Sequence, residues 1–226
     1  MKRKDLLEKF LGSTNISLKD RDIIKKNFEL DEVIKDLNIF HQSLKGKKDY
    51  SLGLVSEAGK LRLEQKILLL RMERFQKESE IYLGEVIEEA KECIAEIDEE
   101  SFIGLIDRSY KNSEITLGRV YQNICSSNNS LSISDFSRIK LGMVEDDFIK
   151  LIKRAEKRNK DLNYLLMLDE FIERENLDCI SRNYIFSILN YPSDIANYIS
   201  FAYVRGLKDE EVIEGLSSIN SSFNIF

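Results

Sequence analysis

Apolar residues recur along most of this chain at three- and four-residue intervals, with little to interrupt them. Proline occurs once, at Pro192, and the ten glycines are dispersed, so a mainly α protein is predicted. Within 31–44 the residues Val33, Ile34, Leu37, Phe40 and Leu44 form one helical stripe, which Gly46 is placed to end. Residues 57–100 are almost entirely helix-forming, and Leu61, Leu68, Met72, Phe75, Tyr82, Val86, Ala90, Ile94 and Ile97 drift around a 3.6-residue period. Gly84 marks a bend or break there. No strict seven-residue repeat holds, and Leu68-Leu69-Leu70 is apolar over more than one face, so burial between other helices is favoured over a coiled coil. Further helices are predicted over 144–158, 163–175, 181–189, 194–205 and 209–219, with Pro192 and Gly206 as punctuation. Shorter helices are predicted over 4–11 and 18–30, the second with Ser17 as its cap. Residues 1–30 thus read as a helical extension and 31–226 as a single helical domain.

One zone departs from this period. Over 118–137 Leu131 and Ile133 alternate with Ser132 and Ser134, and Ser126-Ser127-Asn128-Asn129-Ser130 supplies a turn, which predicts a β-hairpin near 119–136. Asn123 leaves its first strand and Asp135-Phe136-Ser137 closes its second, so an amide and a carboxylate converge. On geometry alone Asp135 also suits a hairpin-end carboxylate that accepts backbone N–H bonds, and Phe136 is a core residue in either case.

Composition narrows the chemistry. The 226 residues, 42% hydrophobic and 33% charged, can bury a sizeable core. No run of about 18 apolar residues occurs, and the basic start Met1-Lys2-Arg3-Lys4 leads into an amphipathic stretch, so neither membrane insertion nor a secretory signal is expected. A net charge of −6 with interspersed signs gives no broad basic surface for nucleic acid. Cys93, Cys125 and Cys179 are odd in number and far apart, which fits a reducing, cytoplasmic compartment better than a disulfide scaffold. The one histidine, His41, excludes most zinc and Ser-His-Asp readings; it ends the stripe of Val33, Leu37 and Phe40 and reads as a core or capping imidazole. The acids Glu88, Glu89, Glu92, Glu96, Asp98, Glu99 and Glu100 read as a solvated face, with no Glu-x-x-His pair to suggest a di-iron site.

An Asn leaving one strand and an Asp-Phe-small triplet closing the next is how kinase-like phosphotransferases hold Mg²⁺ against nucleotide phosphates. The continuation Leu141-Gly142-Met143-Val144-Glu145-Asp146-Asp147-Phe148 resembles the L-G-D-P-x-x-D-L segment of aminoglycoside and choline kinases, with Gly142 and Asp147 matching and Met143 and Val144 departing. Upstream, Leu37 to Gly46 is similar to the L-x-x-F-H-x-x-x-K-G helix end of bacterial spore-coat kinase-like proteins of the protein S type. Gly59-Lys60-Leu61 through Phe75 and the turn at Ile188 to Asp194 follow the same family in the same order, so the resemblance spans about residues 20–205.

The resemblance implies the helical C-terminal lobe of a protein-kinase-like, aminoglycoside phosphotransferase fold. No phosphate-binding glycine loop and no lysine-bearing strand precede it. Asn123 and Asp135 match the family's Mg²⁺ ligands, while Thr116-Leu117-Gly118 stands where the motif H-G-D would put its base. Gly142, Asp147, Phe136 and His41 are then structural. The implied function is that of a catalytically inactive pseudokinase in a binding or structural role, with protein partners and a place in or near the spore coat. The alternatives are a small-molecule phosphotransferase, with Mg²⁺ and ATP, completed by a partner chain that brings the β lobe, and a helical adaptor unrelated to kinases. A bare lobe would leave an apolar cleft surface, and Leu6, Leu7, Phe10, Leu11, Ile23, Ile24, Phe28 and Leu30 are the residues expected to cover it.

Overall fold

The structure, a computed structural model, describes residues 16–18, 30–46, 56–120, 124–127, 130–134, 138–157 and 162–219. It is mainly helical. Nine helices lie among the described residues: α1 (Leu30–Leu44), α2 (Lys60–Glu78), α3 (Gly84–Ala95), α4 (Glu99–Lys111), α5 (Glu145–Glu156), α6 (Leu165–Glu175), α7 (Cys179–Leu189), α8 (Ser193–Arg205) and α9 (Asp209–Ile219). Five short strands accompany them: β1 (Ile16–Leu18), β2 (Ile115–Thr116), β3 (Ile124–Ser127), β4 (Ser130–Ile133) and β5 (Lys140–Leu141).

Local chemistry sets the helix ends. Gly46 has φ +75° and its N–H donates to the carbonyl of Asn112, 2.9 Å, so the chain leaves α1 through a left-handed residue. Asn176 closes α6 and Gly206 closes α8 in the same conformation. Asp178 accepts the N–H of Ser181 at 2.9 Å and caps α7. The long helical stretch breaks over 79–83, just before Gly84, which is the first residue of α3.

The chain divides into two compact units, a division that the uniform helical pattern of 31–226 did not disclose. The first takes the described residues of 1–59 and 99–185; the second takes 60–98 and those of 186–226, with the boundary inside α7. In the second unit α2, α3, α8 and α9 enclose a core that includes Met72, Phe75, Val86, Ala90, Ile199, Ala202 and Leu216. In the first, the apolar stripe of α1 is buried, and Phe148 of α5 stacks on Phe171 of α6 with ring centroids 4.6 Å apart.

The strands belong to the first unit. β3 and β4 pair antiparallel, Ile124 opposite Ile133, which is the hairpin. One expectation is corrected. Ile16–Leu18 is a strand rather than a helix start capped by Ser17: it runs parallel to β4, with Ile16 beside Leu131 and Leu18 beside Ile133. β4 is therefore central in the order β1-β4-β3, and Ser132 is buried along with Leu131 and Ile133. A second pair, β2 antiparallel to β5, sets Ile115 opposite Leu141.

Candidate functional site

In the first unit, charged residues converge on the ends of five helices and on the turn after β2. Three successive acids, Glu145, Asp146 and Asp147, open α5, and all three are buried. Acids suit the first turn of a helix, because unpaired N–H groups and the macrodipole favour negative charge there. Burial is another matter, since each carboxylate needs partners in place of water. The fold supplies a different set to each.

Asp147 Oδ1 accepts the N–H of Gly118 at 2.9 Å, and Oδ2 accepts that of Leu117 at 2.5 Å. The same Oδ2 faces His41 Nε2 at 3.3 Å, while His41 Nδ1 lies 2.7 Å from Glu175 Oε1 at the end of α6. Gln42 Nε2 donates to the second Glu175 oxygen at 3.1 Å. His41 is fully enclosed; burial opposes its charge, but Glu175 and Asp147 outweigh it and raise its pKa to about 9. At neutral pH it is an imidazolium donating from both nitrogens, and it ties α1, α5 and α6 together.

Glu145 meets Arg108 of α4, whose Nη2 lies 2.8 Å from each of its carboxylate oxygens. Arg108 also donates from Nε and Nη2 to Glu114, 3.0 and 3.1 Å, and from Nη1 to Ser181 of α7, 2.8 Å. Burial pushes the Glu145 carboxyl up, and Arg108 partly offsets it. Asp146 accepts from the Tyr184 hydroxyl at 2.8 Å; burial pushes its pKa up to about 7 against the pull of Lys150 and that hydroxyl.

Glycines shape the turn that Asp147 holds. Gly118 has φ +74°, and a Cβ there would stand 2.6 Å from the carbonyl oxygen of Arg138. Only glycine fits without displacing backbone. Gly142, just after β5, lies against Thr116, whose Cγ2 would be 3.2 Å from an added Cβ.

A cavity of about 50 Å³ opens beside the network, lined in part by His41, Lys45, Arg108, Glu114, Glu175 and Asn176. It has room for a few water molecules, about 10–15 Å³ each. The buried carboxylates around it are engaged by Arg108, His41, Gln42 or backbone N–H groups, and both ring nitrogens of His41 face carboxylates rather than a nucleophile. As it stands, the arrangement fixes helices and one turn in place.

No protein-family model, curated protein or solved structure matches the chain. The site is argued from its own geometry. Of the residues singled out in the sequence, Gly118, Gly142, Asp147 and His41 come together around the turn after β2. Asn123, Asp135 and Phe136 lie outside the described residues, as do 1–15 and 19–29 with the apolar positions expected to cover a cleft, except Leu30, which opens α1 and is half-buried. Among the described residues no group of three or more His, Cys, Asp or Glu side chains could hold a metal ion, and no helix is long and apolar enough to cross a membrane. Sequence reasoning missed Arg108, Glu114, Glu145, Asp146 and Glu175. The helical period gave no signal: α5 is amphipathic, with Lys150, Lys153, Arg154 and Glu156 along one side, so the pattern left acids in its first turn a polar face to occupy.

Proposed function

We propose that this chain is a kinase-like helical lobe without phosphotransferase activity, serving as a binding or structural component associated with the spore coat. The observation that carries the reading is Gly118, which stands where the resemblance would put the catalytic base. Its left-handed φ and the Arg138 carbonyl 2.6 Å from a would-be Cβ support a turn built for glycine, with no room for a carboxylate-bearing side chain. Asp147, which matches the final Asp of the family segment, holds that same turn by two backbone N–H groups. Both features fit a phosphotransferase frame whose base has been replaced and whose scaffold persists.

A positioned base contributes about 10²–10⁴-fold to proton transfer, and the lack of a phosphate-binding loop removes electrostatic stabilisation besides. Turnover of Mg²⁺-ATP by the full chain is expected at the level of buffer. Steady turnover that vanishes in Asp135→Ala would overturn the reading and favour a phosphotransferase. Thermal unfolding with and without Mg²⁺-ATP separates binding from turnover, because a ligand at 100 times its Kd stabilises by about 2.7 kcal/mol.

A further inference from the structure

The second unit carries an apolar face that its own core does not use. On α2 the residues Arg62, Gln65, Met72 and Phe75 are buried. On the opposite side Leu63, Ile67 and Leu70 are 59%, 40% and 56% exposed, at the spacing that makes one stripe of a helix. Arg71 Nη1 donates to Ser200 Oγ at 2.6 Å and seams α2 to α8, where Phe201 and Val204 add further exposed apolar surface. A solvent-facing stripe on such a helix is ordinarily charged.

The charges that flank the stripe follow an order. Counted from Leu69, Glu64 stands as far before as Arg74 stands after, and Lys60 as far before as Glu78 after; all four are exposed. Laying this helix antiparallel on a copy of itself reverses the order about that point, so Glu64 meets Arg74 and Lys60 meets Glu78. A parallel pairing would set each charge against its like. The exposed Lys60–Glu64 pair within the helix, 3.8 Å, is worth little.

We infer that α2 is a self-association face: two copies of this chain pair antiparallel with Ile67 and Leu70 of each at the centre of the contact, Leu63 towards its edge, and Glu64 of each against Arg74 of the other. Such a two-fold contact is isologous, and a surface that forms it must be complementary to itself, which is the property the charge order has. An anionic membrane would instead be matched by a rim of one sign, and here Glu64, Glu73 and Glu78 interrupt the more numerous bases. The inference stands on α2 alone and does not rest on the kinase-like reading.

Sedimentation velocity of the full chain over a range of concentrations tests it. A reversible monomer–dimer equilibrium is expected, abolished by Leu70→Glu with an unchanged far-UV circular dichroism spectrum. Glu64→Arg and Arg74→Glu should each weaken the dimer about tenfold, since each creates two like-charge contacts, and the combined variant should restore it. These swaps lie at exposed positions and carry the test if Leu70→Glu loses its fold. A chain that stays monomeric at every concentration, a dimer indifferent to Leu70→Glu and to the swaps, or a combined swap that fails to restore would overturn the inference. So would capture of the monomer by phosphatidylglycerol vesicles through Leu70 in the absence of any dimer.

Discussion

Three adjacent carboxylates in one helical turn would repel one another in a dry interior, and α5 avoids this by giving each a different counterpart. Glu145 has a guanidinium, Asp147 has two backbone N–H groups and an imidazolium, and Asp146 has a hydroxyl and a pKa raised to about 7. Two pH windows follow. Asp146 binds its proton more tightly folded, about 7, than unfolded, about 3.8, so its contribution is complete below pH 4 and is lost as pH rises through 7, about 4 kcal/mol in all. His41 is also raised, from 6.5 to about 9, so its contribution is complete below pH 6.5 and is lost as pH rises through 9, about 3 kcal/mol. Urea titrations across pH check both: Asp146→Asn should flatten the fall between pH 4 and 7 relative to wild type, and His41→Gln the fall between 7 and 9. Equal slopes in variant and parent would refute the assignment. Asp147→Ala should cost about 3–5 kcal/mol at neutral pH, because it strands part of the imidazolium charge and two N–H groups. Gly118→Asp should destabilise by about 1–3 kcal/mol through strain at φ +74° and should leave nucleotide turnover unchanged. Of this network Asp147 and Gly118 were singled out in the sequence by resemblance to a motif, and His41 as the one histidine at the end of an apolar stripe. Arg108, Glu114 and Glu175 were not, since nothing within a few residues of a surface-type charge tells which distant carboxylate or guanidinium will meet it.

At the scale of elements, the legible part is what local chemistry controls. The expectations over 31–44, 194–205 and 209–219 match α1, α8 and α9 within a residue or so, because stripe, cap and stop signal lie in the same short stretch. Asp178, not singled out in the sequence, is a local signal of the same kind at the start of α7. Asp178→Ala should cost about 1 kcal/mol, measured by urea unfolding, since the N–H of Ser181 loses its acceptor while the helix keeps its packing. β1 shows the opposite case. Ile16-Ser17-Leu18 carries two apolar residues and a hydroxyl, which suit a helix start or a strand equally, and the choice is made by a parallel partner more than a hundred residues on. The same partner turns β4 from an edge into a central strand and takes Ser132 out of solvent. Ile133→Ala, in that central strand, should therefore cost about 2–5 kcal/mol.

At the scale of the whole molecule, hydrophobic content and helical periodicity foretold a mainly α chain, but a period has no address: the apolar stripes of α2 and α8 carry no mark that assigns them to a different core from α1 and α5. That assignment comes from packing. The thiols report on it. Cys93 is buried in the core of the second unit, and burial, with Glu89, Glu96 and Glu92 adding repulsion, pushes its pKa up to about 11. Cys179, at the start of α7, is exposed. Only the thiolate reacts, so at pH 8 the raised pKa alone lowers the reactivity of Cys93 roughly a hundredfold, before access is counted. Alkylation of the native protein followed by peptide mapping should modify Cys179 within minutes and leave Cys93 intact, and urea should bring Cys93 to the rate of an unfolded thiol. Since labelling of a buried thiol requires opening, its rate at low urea measures the free energy of opening the core formed by α2, α3, α8 and α9. Ile199→Ala, which removes a buried side chain from that core, should speed Cys93 labelling in proportion to the stability it costs. Equal labelling of Cys93 and Cys179 in the native protein would mean that this core is not closed around α3.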